Sequence, residues 1–545
     1  MANSVEEESI EKFKQWLFLY RDDGAYKVVS KTFSREKALC VTQLLADGHG
    51  KEVLSLLESC SSSPALIDRE PLLFAYALCC KSTDKNTKKQ AEQICDKICK
   101  TPCDLFQLFK FHKTLSTTKS WGRYFKRLIS TWYHNQDPYQ LARNVSKEVS
   151  FLGWSHRDAL RMGHLKPKTD EMDLIFKYLV LGLAETKKSF GKSDKESVRK
   201  LLEFLSAVDI AKHKEDIPQV AKLVELHHLK KDHLRTVLLK EKEIWTALLK
   251  EMTVQEILEN IGQLANIGYL DEACDGSQTV VDKLMNESLL KEQNIQPFDV
   301  IIASNYYKEG RKKGATWQHN SKVIKALDSA LDYTLKNNLK STGKRCVVAI
   351  RVGINRNKST VRGTMTLSTT AAAAGVAMVI TRGEEKSDVV FFTDTVTPLT
   401  VTKETKLTDM KNEIKEQVKK ANEKEEDDPE PEFGSDGEEL DIFVGAPPEP
   451  CDLVAPIQWA TSQKKDVDVF ILVTDANKST GSQNLGEAIA QYRKERNLPN
   501  TKLVTIGLTN SNMKFANLGD QNMLDVSGFD AKVPKVIQTF LSEAY

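Results

Sequence analysis

The chain has 545 residues, of which 40% are hydrophobic and 28% charged, and its formal net charge is +2. This composition is ordinary for a folded soluble protein, and the length exceeds what one hydrophobic core supports, so we expect roughly two to four domains. The acidic N-terminus does not resemble a secretory signal, and the longest apolar run, Ala371–Ile380, is too short to cross a bilayer, so we expect no membrane partner.

Charge is distributed unevenly along the chain. Residues 1–340 hold 53 basic and 46 acidic side chains, a net +7, whereas residues 341–545 hold 25 and 30, a net −5. The most basic window, residues 101–200, holds 19 Lys and Arg against 10 Asp and Glu. This asymmetry indicates different partners for the two halves, with a polyanion expected at the basic window.

Helical periodicity dominates residues 36–340, where apolar residues recur at spacings of three and four. The segments Ser193–Glu196 and Thr253–Glu256 match the capping box, in which a hydroxyl and a carboxylate satisfy the free amides that begin a helix. Strand patterns are scarce there, apart from a predicted hairpin near residues 20–33. Some 300 residues of short helices do not form one bundle, so we predict an irregular HEAT-like helical-repeat solenoid.

Two basic motifs with interleaved aromatic residues lie in the basic window. They are WGRYFKRLISTWY at Trp121–Tyr133 and GWSHRDALRMGHLKP at Gly153–Pro167. In the first, Arg123, Lys126 and Arg127 are spaced three and four apart and therefore share one helix face. Because cations neutralise phosphates and aromatic rings stack on bases, the motifs favour nucleic-acid binding.

A structural interpretation of the same residues remains open. The cations would then form a solvated helix face beside core aromatics, and His156 and His164 would be capping or core histidines. A lone histidine usually has such a role. The nucleic-acid interpretation therefore depends on the two neighbouring clusters taken together.

After Lys340, apolar strands alternate with helices, which predicts an α/β doubly wound domain with a parallel sheet covered on both faces. The predicted elements are strand Cys346–Ile350, helix 366–381, strand Val389–Phe392, helix 408–421, strand Val467–Val473, helix Leu485–Arg496, strand Leu503–Leu508 and helix Val533–Ser542. Ligands of such sheets bind outside the carboxyl ends of the strands. Residues 423–441 hold eleven acidic side chains and one lysine, so we predict a disordered acidic insertion at about 422–449.

The two basic motifs closely resemble those of the Ro (SS-A) ribonucleoprotein autoantigen family. Further similarities are EPLLFAYALC at Glu70–Cys79, WTALLKEM at Trp245–Met252, GKR at Gly343–Arg345 and MLDVSGFD at Met523–Asp530. The resemblance covers nearly the whole chain. It implies a ring-shaped helical-repeat module, the TROVE module, over residues 1–342, and a von Willebrand factor A-like domain over residues 343–545.

The resemblance also implies a function. Members of the family bind small noncoding Y RNAs on the outer surface and capture 3′ ends of misfolded noncoding RNAs in a central cavity. We therefore expect a monomeric ribonucleoprotein component that acts in RNA stability or quality control, with further protein partners on the A-like domain. We expect it in the cytoplasm, with a nuclear pool left open. The ten cysteines are spread too thinly for a small disulfide-rich domain, which fits reduced thiols in either compartment.

Candidate RNA contacts follow from the motifs. His164, in the HLKP element, matches the family's RNA-contacting histidine, and Lys147, Arg123, Lys126 and Arg127 fall where the family's basic surface lies. The second motif adds the cations Arg157, Arg161 and Lys166. Arg and Lys would neutralise phosphates, and an imidazole would donate a hydrogen bond to a phosphate or a base.

The expected metal site of the second domain departs from the family pattern. A-like domains of the family hold a divalent cation with an Asp-x-Ser-x-Ser motif after the first strand, a Thr from a later loop and an Asp after a central strand. Here the first element reads Arg351, Gly353 and Asn355, the Thr position is Cys451, and of the expected ligands only Asp475 remains. A guanidinium cannot ligate a cation, so we expect no divalent cation and no other cofactor, with Arg351 opposite Asp475.

The sequence bears on three classes of function. The leading hypothesis is an RNA-binding protein. We predict that it is not an enzyme, because the sequence shows no nucleophile motif, phosphate-binding glycine loop or metal cluster. The alternative is a protein-interaction scaffold without RNA, in which the acidic insertion serves for docking. A metal-dependent enzyme or adhesion module is disfavoured by Arg351, Gly353 and Cys451.

Overall fold

The structure is a computed structural model that describes residues 2–20, 25–29, 31–116, 121–147, 150–309, 317–352, 360–393, 395–425, 452–475, 479, 481, 483–510, 513–517 and 519–542. It divides into two compact units. The helical unit comprises Met1–Phe18 and Phe33–Met252, and the mixed unit comprises Leu19–Thr32 and Thr253–Tyr545. Each unit is described by itself below.

The helical unit consists of short α-helices that pack against their neighbours along the chain. They are α1 (Ala2–Leu19), α2 (Leu39–Ala46), α3 (Gly50–Ser61), α4 (Glu70–Cys80), α5 (Lys85–Gln93), α6 (Cys95–Ile98), α7 (Pro102–Thr114), α8 (Gly122–His134), α9 (Pro138–Val145), α10 (His156–Gly163), α11 (Asp170–Leu181), α12 (Leu183–Phe190), α13 (Glu196–His213), α14 (Ile217–His227) and α15 (Lys242–Glu251). Two short 3₁₀ turns, Lys231–His233 and Leu238–Lys240, precede α15. Most packed pairs lie one to three helices apart along the chain, such as α4 with α7 and α8 with α10, and such local packing is the arrangement that helical repeats require.

The mixed unit begins with more helices and continues into alternating strands and helices. Its helices are α16 (Val254–Asn266), α17 (Gly276–Met285), α18 (Glu287–Glu292), α19 (Pro297–Glu309), α20 (Ser321–Asn337), α21 (Thr369–Gly383), α22 (Leu407–Glu425), α23 (Ala455–Ser462), α24 (Leu485–Arg496) and α25 (Val533–Ser542). Its strands are β1 (Ala25–Lys27), β2 (Arg345–Arg351), β3 (Thr360–Val361), β4 (Thr364–Ser368), β5 (Lys386–Phe392), β6 (Val396–Leu399), β7 (Val469–Thr474), β8 (Lys502–Gly507) and β9 (Met523–Ser527). The predicted fold class, helices followed by an α/β domain, is confirmed.

The strands of the described residues form one large sheet in the order β1-β9-β8-β7-β2-β5-β6, with β3 and β4 as a separate pair. All neighbours in the large sheet are parallel except β5 and β6, which are antiparallel at one edge. Every residue of β7 and of β8 is buried. Such continuous burial is typical of parallel strands covered by helices on both faces. The predicted α24 and α25 have the observed bounds, and the other predicted strands and helices overlap the observed ones.

Two local predictions from the sequence are wrong. Ala25–Lys27 does not belong to a hairpin, because it forms the edge strand β1, parallel to β9 with Ala25 opposite Asp525. The capping box predicted at Ser193–Glu196 is also absent: α13 has Lys195 at its N-cap, with no side-chain cap. The Ser193 hydroxyl instead accepts a hydrogen bond from the Lys195 N–H at 3.4 Å, in a turn before the helix. The box at Thr253–Glu256 is confirmed at the start of α16.

The acidic insertion and the domain boundary are only partly covered by the structure. Helix α22 runs to Glu425, four residues into the insertion predicted at about 422–449, and residues 426–450 lie outside the described residues. The predicted boundary at residue 342/343 follows the change from helices to strands, whereas the mixed unit already begins at Thr253. That boundary and the closed ring both stay predictions. None of the described helices is both long and apolar enough to span a membrane.

Candidate functional site

Helices α8 and α10 pack against each other and thereby bring the two basic motifs together. At the end of α8, the Tyr133 hydroxyl lies 2.7 Å from Nδ1 of His156, the first residue of α10. One turn earlier on α8, Ile129 faces Gly163 at the end of α10, where an added Cβ would lie 3.2 Å from its Cγ2 atom. The two helices therefore run antiparallel, with a close approach that a glycine permits.

His156 belongs to the core, as the structural interpretation of the motif proposed. Its side chain is buried, and the Phe106 ring packs edge-on against it at 5.2 Å between ring centroids. Burial lowers the pKa of His156 to about 4, so the imidazole is neutral at physiological pH. The Tyr133 hydroxyl can then donate to Nδ1, which fixes the position of α10 on α8.

His164 is exposed and ends α10 in an unusual backbone conformation. Its φ of 48° and ψ of 45° are left-handed, and its N–H donates to the carbonyl of Leu160. A left-handed residue commonly ends a helix, but the position usually holds glycine, because a side chain there is strained. The capping interpretation of His164 is therefore correct for its backbone, while the exposed imidazole remains available for a ligand.

The cations of α10 share one helix face with His164. Arg157 and Arg161 are one turn apart, and His164 follows Arg161 by three residues. Arg157 donates from Nε and Nη2 to the carbonyl of Leu179, at 3.1 and 2.9 Å, and so binds a free carbonyl at the end of α11. Arg161 and Lys166 are exposed.

The cations of α8 point to a second face. Arg123 and Arg127 are exposed, and Lys126 is half-buried. The Arg127 guanidinium forms a forked ion pair with Glu92 of α5, with Nη2 at 3.2 Å from Oε2 and Nε at 3.3 Å from both carboxylate oxygens. Arg127 is therefore held by a carboxylate that a phosphate could replace.

The aromatic residues that alternate with these cations serve mainly the core. Trp132 and Tyr133 are fully buried. Trp121 and Trp154 are half-buried and pack edge-to-face with ring centroids 5.3 Å apart, and Trp121 also stacks on His112 at 5.4 Å. The expected stacking surface for bases is therefore largely used for internal packing, and the cations carry the site.

Lys147 follows α9 and lies among residues other than those of the α8–α10 pair. It is half-buried after α9, and its charge acts on two residues of other segments, Cys103 and His233. Buried His233 accepts from the Lys230 N–H at Nδ1 and lies 3.0 Å from the Arg143 carbonyl at Nε2. The charge of Lys147 thus acts on residues of α7 and of the 3₁₀ turn Lys231–His233, not on residues of α8 or α10.

His134 is a positioning residue that the sequence did not reveal. Its Nε2 lies 2.9 Å from the carbonyl of Lys166, and its Nδ1 lies 3.1 Å from the Ser130 hydroxyl. A carbonyl oxygen can only accept, so Nε2 donates to Lys166. His134 therefore ties the segment after His164 to α8, through a contact between residues 32 positions apart that no local pattern indicates.

The predicted metal position lies at the carboxyl edge of the large sheet. Arg351 ends β2, Thr474 lies opposite it on β7, and the Asp475 N–H donates to the Arg351 carbonyl at 3.3 Å. Both Arg351 and Asp475 are buried. A buried guanidinium at this position does not fit a divalent cation, because it adds positive charge and supplies no ligand atom.

The other positions of that expected site, Gly353, Asn355 and Cys451, lie outside the described residues. Among the residues that the structure covers, no group of three or more His, Cys, Asp or Glu side chains is suited to a metal ion.

These features define a class of protein: a helical-repeat unit with exposed basic helix faces, joined in one chain to a von Willebrand factor A-like (vWA) sheet. Residues 345–423 and 440–541 match the family model described as the Ro60 vWA domain. The predicted resemblance to the Ro family is confirmed by this match and by two relatives that align over 97% and 86% of the chain.

Two relatives carry the name RNA-binding protein RO60. The protein of Caenorhabditis elegans is 24% identical over 594 residues, covering 97% of this chain and 87% of the relative. The protein of Deinococcus radiodurans is 26% identical over 478 residues, covering 86% of this chain and 81% of the relative. The crystal structure of the D. radiodurans RO (RSR) protein matches with a TM-score of 0.79 at 23% identity, over 98% of this chain and 100% of that chain, and shows that the fold is shared.

Proposed function

We propose that this protein binds RNA through the exposed basic faces of α8 and α10 and acts as the protein component of a small ribonucleoprotein. The observation that carries the proposal is the row of Arg157, Arg161 and His164 along one face of α10, which the Tyr133–His156 contact holds against a second basic helix. Cations at one-turn spacing suit a chain of phosphates, and an exposed imidazole can add a hydrogen bond to a phosphate or a base. The RNA-binding names of the relatives support the same function.

We further propose that the bound RNAs are small Y-type noncoding RNAs and the 3′ ends of misfolded noncoding RNAs, and that the protein stabilises or sorts them as a cytoplasmic monomer without enzymatic activity. These finer points rest on the family resemblance. Lys166 would extend the phosphate contacts beyond the α10 row, Arg123 and Lys126 would add contacts on the face of α8, and Lys147 would add one near the end of α9.

The test is to purify the protein from its native cells, extract the bound nucleic acid and sequence it, with a His164→Ser variant alongside. His228→Ser is the matched control, because His228 is also exposed and also ends its helix in the left-handed conformation. A small structured RNA that is lost in His164→Ser and retained in His228→Ser is the expected result. Absence of RNA from the unmutated protein would overturn the proposal and favour the protein-interaction scaffold.

For the vWA-like domain we propose a metal-free state in which the Arg351 guanidinium supplies the positive charge that a divalent cation supplies in other family members. The burial of Arg351 and Asp475 at the carboxyl edge of β2 and β7 supports this role. Titration calorimetry with Mg²⁺ is expected to show no saturable binding. Tight binding that Asp475→Ala abolishes would contradict it.

A further inference from the structure

A basic groove lies between α5 and α8 of the helical unit, away from the row on α10. Its volume is about 600 Å³, and its lining includes Lys85, Lys88 and Lys89 from α5 and Tyr124 and Arg127 from α8. Glu92 is the one carboxylate among the described lining residues. The groove therefore presents four cations against a single acid. The Tyr124 hydroxyl donates to the carbonyl of Lys88 at 2.9 Å and holds the two helices together at the groove.

The three lysines of α5 keep their charges available for a ligand. Asp84, beside them in sequence, is used as the helix N-cap and accepts from the N–H and the hydroxyl of Thr87, both at 2.7 Å. Within the described residues, Lys85, Lys88 and Lys89 form no ion pair, and Lys85 and Lys89 are exposed. Like charges one turn apart on a helix repel each other. A polyanion in the groove would remove this repulsion.

The Arg127–Glu92 pair indicates what kind of anion fits. The guanidinium offers Nε and Nη2 to the two oxygens of one carboxylate, and a phosphate presents two oxygens in the same forked geometry. The pair is weakly held, since the Arg127 side chain is 63% exposed and exposed ion pairs contribute little. A phosphate that also contacts the lysines can therefore displace Glu92.

We propose that the α5–α8 groove binds the sugar–phosphate backbone of RNA through Lys85, Lys88, Lys89 and Arg127, and that Glu92 occupies the Arg127 fork until a phosphate replaces it. This inference rests on the proposed RNA binding and extends it from α8 to α5. RNA is favoured over an acidic protein segment because Lys85 lies one turn from Lys88 and Lys89 on α5, and Arg127 lines the same groove from α8. Cations along a groove at this spacing suit a chain of regularly repeated charge.

The first experiment removes two lysines. Labelled single-stranded poly(U) is the probe, because phosphate contacts carry no sequence information and any RNA strand reports them. The variant is Lys85→Gln/Lys89→Gln, and the control is Lys222→Gln/Lys242→Gln, which removes two exposed lysines of the same unit outside the groove. We expect roughly ten-fold weaker binding of the groove variant at low salt. The negative slope of log affinity against log salt should lose about 1 to 1.5 in magnitude, with the control unchanged.

The second experiment removes the competing carboxylate. Glu92→Gln is expected to strengthen poly(U) binding about two- to five-fold, because Arg127 no longer has to leave an ion pair. Glu225→Gln is the matched control: Glu225 pairs with Lys250 at 2.6 Å between α14 and α15, so the same charge change falls outside the groove. A gain in affinity specific to Glu92→Gln supports the displacement of Glu92 by a phosphate. An equal gain in both variants would be a general effect of net charge and would overturn that displacement.

The outcomes separate this inference from the function on which it rests. If the unmutated protein does not bind poly(U), the proposed RNA binding and the groove fail together. If it binds, and the groove variant binds as tightly as the control, only the groove inference is overturned. Binding of a synthetic peptide of residues 423–441 that depends on Lys85 and Lys89, with poly(U) affinity unaffected by those lysines, would assign the groove to an acidic protein segment instead.

Discussion

The Tyr133 hydroxyl lies 2.7 Å from Nδ1 of His156, and this hydrogen bond joins the two basic motifs of the helical unit. Both partners are buried, and burial keeps the phenol protonated and the imidazole neutral. The contact therefore depends on the protonation state of a core histidine, while the surface it supports carries Arg157, Arg161 and the exposed His164.

Stability of the helical unit should fall as the pH is lowered. The folded-state pKa of His156 is about 4, against an ordinary value of about 6.5, so the unfolded chain binds a proton between these two values while the folded chain does not. His156 thus contributes a loss on the order of 3 kcal/mol between about pH 6.5 and 4, with no further loss below the folded pKa. His112 and His233, whose pKa burial lowers to about 3 and about 4, act in the same direction.

Urea unfolding midpoints measured across this pH range provide the test. His156→Gln, which keeps an acceptor for Tyr133, should show a flatter pH dependence than the unmutated protein. The exposed-site variant His164→Ser should keep the original profile. An unchanged slope in His156→Gln would show that His156 does not titrate in this window.

Replacing the strained residue at the end of α10 should separate stability from binding. His164→Gly relieves a left-handed backbone position and should stabilise the helical unit by about 1 kcal/mol, while it weakens RNA binding by removing the imidazole. His228→Gly changes a position with the same backbone conformation, φ 50° and ψ 47°. It should also gain stability, less the small contribution of the exposed His228–Glu251 contact at 3.4 Å, without a loss of RNA affinity. Thermal unfolding and RNA titration of both variants check this, and weaker RNA binding in both would argue against a specific role for His164.

The capping box of α10 should matter for binding as well as for folding. The Ser155 hydroxyl accepts from the Asp158 N–H, and the Asp158 carboxylate accepts from the Ser155 N–H at 3.0 Å. Ser155→Ala should cost about 1 kcal/mol and fray the helix that carries Arg157, Arg161 and His164, so RNA affinity should fall. Thr253→Ala removes the same kind of cap from α16 of the mixed unit and should destabilise that unit alone. Equal RNA affinity of Ser155→Ala and the unmutated protein would mean that α10 does not carry the contact.

Salt dependence should identify individual phosphate contacts. Each phosphate contacted contributes a slope of roughly −0.7 to −0.9 in log affinity against log salt. Arg161→Gln should reduce the magnitude of the slope by about 1, whereas Arg199→Gln, at an exposed position on α13, should leave it unchanged. Fluorescence anisotropy at several salt concentrations measures both, and a flat salt response of the unmutated protein would exclude a phosphate-binding surface.

The local sequence pattern was sufficient for much of the fold. Helices α24 and α25 have the bounds that their apolar spacing predicts, and β7 follows from a continuous apolar run. The capping box at Thr253 also follows from four adjacent residues. These features depend on side chains close together in the chain, so a short window contains the information that determines them.

The tertiary structure alone decided which residues meet. Edge strand β1 pairs with β9, some 500 residues away, and a three-residue strand has no distinguishing pattern of its own. Only packing shows that His156 is a core residue and His164 an exposed one, although both stand in the same basic motif, Gly153–Pro167. The forked contact between Arg127 and Glu92, and the lysines of α5 beside it, likewise depend on two helices lying side by side. Sequence spacing determines which side chains share a face of one element, but burial and long-range packing determine what that face meets.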